Sequence, residues 1–135
     1  MKYNIEFGYK RTTPLTGGNL LLRFTKIDAG RGSSNIYIIR RKKEDKIYDG
    51  NKTFIVDTGL PLCREKILKQ LNDELAEDRV DGIILTHFHF DHSGNAKYLS
   101  DFFNCNVYAH RNAIKILAEG SFEILSFAFV EDVDA

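Results

Sequence analysis

An α/β fold is predicted by three features of the chain. Short β-branched runs fill its first half, the apolar period lengthens at Leu60-Pro61, and helical segments then alternate with strands. The first strand is read over residues 20–24, after a turn through Gly17-Gly18-Asn19. A second covers residues 34–39, opened by Gly30-Arg31-Gly32. A third, residues 53–57, follows the Asp49-Gly50-Asn51 turn and ends on a carboxylate. These three are expected to form an antiparallel sheet, with the charged connection outside. Leu62, Ile67, Leu68, Leu71 and Leu75 then recur at mostly three- and four-residue intervals. They predict an amphipathic helix to about Ala76, with Pro61 in its first turn. Asp73, Glu74, Glu77 and Asp78 crowd its far end, where the helix dipole disfavours acids, and are expected to be exposed. A strand at 82–86, a helix at 92–103, a strand at 106–109, a short helix at 113–118 and a strand at 122–130 follow. The alternation implies crossover connections and α/β packing.

Composition narrows the partners. The 135 residues are 43% hydrophobic and 28% charged, enough for one domain that buries roughly two thirds of its unfolded surface. No segment approaches the ~20 apolar residues of a membrane span. Met1-Lys2-Tyr3-Asn4-Ile5-Glu6 has no apolar core like that of a secretory signal, which points to the cytoplasm. Nineteen basic residues balance nineteen acidic ones, which argues against a nucleic-acid partner. Arg40-Arg41-Lys42-Lys43 runs straight into Glu44-Asp45 and reads as a solvated loop, with remote contact to an anionic substrate as the minor reading. Cys63 and Cys105 lack CxxC spacing and read as reduced, partly buried thiols. The glycines fit neither the dinucleotide nor the P-loop spacing.

The chemistry is concentrated in Thr86-His87-Phe88-His89-Phe90-Asp91-His92-Ser93-Gly94-Asn95, just after the apolar run Gly82-Ile83-Ile84-Leu85. Three of the four histidines and one carboxylate fall within six residues. Imidazole nitrogens and carboxylate oxygens suit zinc, and also iron or manganese. His87 and His89 are two apart, so an extended backbone sends both imidazoles to one side. Asp91 and His92 are adjacent and converge only if the chain turns there. One ion, or two with His87 and His89 on the first and Asp91 and His92 on the second, are both consistent with this spacing. Phe88 and Phe90 carry no ligand atoms and are expected to pack behind the loop. Ser93, Gly94 and Asn95 read as turn and helix-start residues, with Gly94 allowing a close backbone approach.

The ordered segment resembles the His-x-His-x-Asp-His motif of the metallo-β-lactamase superfamily. Phe54-Ile55-Val56-Asp57-Thr58-Gly59 is similar to that family's apolar strand ending in Asp-Thr-Gly, residues 33–39 to its Asn-x-Tyr strand, and Asn106-Val107-Tyr108-Ala109-His110 to the strand after the motif helix. The likeness covers residues 19–118. It implies that His87 and His89 bind a first metal, while Asp91 and His92 contribute to a second or assist catalysis. Asp91 would help position the nucleophile and accept a proton. Asp57 would stand behind the ligands, holding an imidazole in its tautomer, although satisfying backbone donors at the strand end is the plainer role. Members of the family complete the site with later residues. Here only His110 follows Asn95, at the place of a common nonligating histidine, and Glu119, Glu123, Glu131, Asp132 and Asp134 sit in no family-like ligand segment. Residues 1–135 therefore read as a partial domain, the N-terminal αβ half of an αββα sandwich whose C-terminal half is absent.

The implied activity is that of a zinc-dependent hydrolase, using a metal-activated water on a small thioester, lactone or phosphoester. Two alternatives stand beside it. One is a noncatalytic metal-binding or assembly fragment that self-associates or needs a complementary half. The other is an oxidoreductase relative of the diiron or sulfur dioxygenase type.

Overall fold

A computed structural model describes residues 13–15, 20–43 and 52–119. The predicted strand over 122–130, the turns at 17–19 and 49–51, and Glu123, Glu131, Asp132 and Asp134 lie outside the described residues. Six strands form one sheet in sequential order: β1 (Thr13–Leu15), β2 (Leu20–Ile27), β3 (Ile36–Lys43), β4 (Lys52–Val56), β5 (Gly82–Ile84) and β6 (Val107–Tyr108). β1 to β4 pair antiparallel, as hairpin-length connections allow. β5 and β6 join parallel, each after a helical crossover. A 3-10 turn at Pro61–Cys63 leads into α1 (Arg64–Leu75), followed by α2 (Phe90–Ser93), α3 (Ala96–Phe103) and α4 (Arg111–Glu119). This mixed sheet with flanking helices is an αβ half of an αββα sandwich.

Alternation along the strands decides which face the helices cover. Ile36, Ile38, Ile55, Ile83 and Val107 are buried with Ile67, Leu71 and Leu75 of α1, Leu99 of α3, and Ala113, Ile114 and Leu117 of α4. The opposite face carries Phe24 paired with Ile39, Ile39 with Phe54, Tyr37 with Val56, Val56 with Ile84, and Ile84 with Tyr108. That second face is as apolar as the first, yet its residues are only half-buried, and Ile84 is 37% exposed.

Several expectations need correction. The basic cluster is not a loop: β3 runs through Lys43, and Arg40 faces inward at 3% exposure. Its Nε donates to Asp78 Oδ2 (2.8 Å), a second nitrogen donates to the Glu74 carbonyl and a third to Thr25 Oγ1 (3.3 Å). A planar guanidinium with several fixed donors suits this task. It also explains why acids end α1: the buried cation offsets both the carboxylates and the negative end of the helix dipole. Glu74 and Asp78 are thus half-buried rather than exposed. Leu62, assigned to the apolar stripe, is 94% exposed because Pro61–Cys63 forms the 3-10 turn before α1. The helix expected over 92–103 is two, broken at Gly94 and Asn95.

Arg40→Ala should lower stability by about 2 to 3 kcal/mol, since hydrogen bonds to charged groups are lost and partly buried acids remain. Urea unfolding reads the shift; a midpoint unchanged from the parent chain would show that the pairing contributes nothing net.

Candidate metal centre

The site stands at the ends of β4 and β5 on the same sheet edge. β4 delivers Asp57, whose φ of 62° turns the chain sharply out of the strand, a conformation Asp tolerates better than most side chains. The Asp57 N–H donates to the Ile84 carbonyl (2.9 Å), tying the turn to β5. β5 delivers Thr86 and His87, and α2 delivers Asp91 and His92. Gly59, at φ 69°, completes the turn: a Cβ there would lie 2.6 Å from Ile67 Cδ1 and 2.7 Å from Ser33 Oγ.

Two loops are stapled together by polar contacts. The Thr58 N–H and hydroxyl both donate to the His92 carbonyl (2.7 and 2.8 Å). Fully buried Asn95 donates its amide to the Thr58 and Leu60 carbonyls (2.9 and 2.8 Å), while Arg64 Nε donates to its oxygen (3.0 Å). The Ser93 hydroxyl donates to the Phe88 and His89 carbonyls, closing the tight bend. Gly94 provides the expected close approach, since a Cβ there would meet Pro61 Cδ at 2.5 Å and the Phe90 carbonyl at 2.7 Å. Buried polar groups satisfied this fully make a rigid base for a site.

On that base, Asp57 is 4% exposed and accepts at both oxygens. Oδ1 receives the Thr86 N–H (2.9 Å), and the Thr86 hydroxyl lies 3.0 and 2.8 Å from Oδ1 and Oδ2. Oδ2 is also 2.8 Å from His92 Nδ1. Asp57 therefore accepts a backbone N–H and stands within hydrogen-bond distance of the His92 ring. The His87 ring lies 4.0 Å from the His92 ring and 4.7 Å from the His89 ring, centroid to centroid. Asp91 Oδ2 stands 3.4 Å from His92 Nε2, and the Asp91 carbonyl accepts from the Ser34 N–H (3.2 Å). The loop thus brings His87, His89, Asp91 and His92 together, with Asp57 behind His92. Phe88 and Phe90 do not pack behind it: they are 38% and 45% exposed, and Phe88 touches the His89 ring edge-on.

His110 has a different partner. It is exposed and accepts the Asn112 N–H at Nδ1 (3.2 Å), a cap for α4. Both cysteines are free. Cys105 is pushed up to about 11, first by burial and then by the Asp81 charge, so its thiol is neutral and unreactive at physiological pH.

The donor chemistry suits a divalent cation, because His92 spends Nδ1 on Asp57 and keeps Nε2 beside the Asp91 carboxylate. The donor count is short: among the described residues, no three or more His, Cys, Asp or Glu side chains gather in a group that would hold an ion. Thr86 and Thr58 hold the loop by contacts that pattern reading did not assign, and Asn95, read as a helix start, does so as well. Thr86 alone had a visible signal, a hydroxyl immediately before the first histidine of the motif.

The fold agrees with comparison to known proteins. The family model of the metallo-β-lactamase superfamily matches residues 29–132, and the chain belongs to that superfamily. A probable metallo-hydrolase, YybB, of Bacillus subtilis (strain 168) is 34% identical over 71 residues, covering 53% of this chain and 31% of that protein. The crystal structure of BLEG-1, a B3 metallo-β-lactamase, superposes with a TM-score of 0.52 at 28% identity, over 70% of this chain and 40% of that one. A B3 metallo-β-lactamase with an active-site glutamic acid shares the fold, with a TM-score of 0.50 at 23% identity, over 77% of this chain and 34% of that one. The chain thus spans about a third of the length of such relatives. No helix among the described residues is long and apolar enough to cross a membrane.

Proposed function

We propose that the chain carries the metal-binding half of a hydrolase that acts on a small thioester, lactone or phosphoester. The observation that carries this reading is the closeness of the His89 and His92 rings to His87, at 4.7 and 4.0 Å, backed by the Asp57 carboxylate on His92. Zinc is the favoured ion, as one or two per chain, with iron or manganese as substitutes the same donors accept. His87 and His89 would hold the first, and Asp91 and His92 the second. When bound, such an ion supplies Lewis acidity, lowering the pKa of water and polarising an acyl or phosphoryl oxygen. The chain's own contribution is orientation: Asp57 holds the His92 ring, Ser34 holds the Asp91 backbone, and Asp91 keeps a carboxylate at the loop surface that can accept a proton from a nucleophile. Family and fold select no substrate. The preference for small esters rests on the balanced charge, which offers nothing to a polyanion.

A second reading, a noncatalytic metal-binding or assembly half completed by further chain, is favoured by one observation: no three donors meet among the described residues. A panel of thioester, lactone and phosphodiester substrates, assayed with and without a chelator, separates the two. The 135-residue chain alone is expected to turn over slowly, since catalytic zinc usually has three protein ligands. Whatever turnover occurs should vanish on chelation and in His92→Ala. Turnover that survives both would reject the metal-dependent reading.

A further inference from the structure

We infer that Thr86 is a positioning residue that extends the reach of Asp57 from His92 to His87, so that one buried carboxylate sets the tautomers of two imidazoles. The inference deepens the metal-site reading above and rests on it for its functional meaning, but it follows from hydrogen-bond bookkeeping alone. Asp57 is an acceptor at both oxygens: it takes the Thr86 N–H at Oδ1 and faces His92 Nδ1 from Oδ2. The Thr86 hydroxyl sits 3.0 and 2.8 Å from the same two oxygens and owns a single proton. That proton goes to the carboxylate, because a hydroxyl lone pair aimed at two carboxylate oxygens would be repelled.

On its other side, the Thr86 oxygen is 2.9 Å from His87 Nδ1 and can only accept there. His87 must then carry its proton on Nδ1, as His92 does against Asp57. His87 is left with an unprotonated Nε2, the form in which a neutral imidazole donates a lone pair to a cation, while His92 directs its Nε2 toward the Asp91 carboxylate at 3.4 Å. The two rings are 4.0 Å apart, so the relay prepares neighbouring donors with one charge rather than two. Supporting the metal donors through a shared carboxylate also fixes ring rotation before any ion arrives, which reduces the ordering cost of binding.

The test is read in the metal-stripped full chain at about pH 8, above the usual imidazole range. Long-range proton–nitrogen spectra of the 15N-labelled chain report which ring nitrogen is protonated, with His87→Gln assigning the His87 signals. His87 should show protonated Nδ1 and bare Nε2. Thr86→Val, which keeps shape and loses the hydroxyl, should move His87 toward the Nε2–H form and leave His92 unchanged. Thr86→Ser should restore the parent pattern. Zinc affinity, measured by competition with a chromophoric chelator, should fall about tenfold or more in Thr86→Val and recover in Thr86→Ser. Protonated Nε2 on His87 in the parent chain overturns the relay, whether or not Thr86→Val folds. So does a Thr86→Val spectrum identical to the parent's. Zinc uptake with His87 in the wrong tautomer sinks the relay alone, whereas the right tautomer with no zinc uptake upholds the relay and sinks the metal reading.

Discussion

Asp57→Ala is expected to destabilise the chain by about 3 kcal/mol and to weaken metal uptake by about 10- to 100-fold. The carboxylate is buried and accepts from the Thr86 N–H, the Thr86 hydroxyl and His92 Nδ1. Deleting it takes the acceptor from the partly buried Thr86 N–H and the partner from His92 Nδ1. Alanine is also less tolerant than Asp of the φ of 62° at this turn. Asp57→Asn separates the two consequences. Asparagine accepts the left-handed backbone and can still take the Thr86 N–H, so most of the stability should return. Its neutral amide has one acceptor oxygen in place of two, so metal affinity should stay low. Chemical unfolding and chelator competition on the same three proteins give the decision. An Asp57→Ala chain as stable and as metal-avid as the parent would remove Asp57 from the account.

The chain at micromolar concentration is expected to self-associate, or to pair with a complementary αβ half, through the sheet face that the described helices do not cover. Phe24, Ile39, Phe54, Val56, Ile84 and Tyr108 follow one another across five strands of that face. A contiguous patch of this kind marks an interface or an aggregation liability, and the matching segment of this chain covers only 31 to 34% of the relatives it resembles. Light scattering across a concentration series should show mass rising with concentration. Replacing Ile39 and Val56 by lysine should return the chain to a monomer without unfolding it, since neither faces the helical side. A strictly monomeric parent chain that binds no hydrophobic dye would contradict the incomplete-sandwich account.

Much of the fold was legible because its signals are local. The β-branched runs of β3 and β4, the Ile67, Leu71 and Leu75 spacing of α1, and the motif after β5 each announce themselves within about ten residues. The failures are long-range. Arg40 looks like part of a solvated cluster until β3 is placed against the end of α1, where Asp78 and the Glu74 carbonyl wait 38 and 34 residues away in sequence. Asn95 looks like a turn residue, yet it is fully buried and joins segments 35 to 37 residues apart. Within the site, the spacing of His87 and His89 foretold their proximity. That of Asp91 and His92 could not, because their convergence depends on the turn that Thr58 and Gly94 enforce.

The central claim is that the motif loop binds metal, and bound metal is what tests it most directly. The chain, purified without a metal-binding tag and equilibrated with zinc, should retain one or two ions by elemental analysis. The double variant His87→Ala, His89→Ala should lose most of that metal, and His110→Ala should lose none, since His110 spends Nδ1 on capping α4. Unchanged stoichiometry in the double variant would contradict the account.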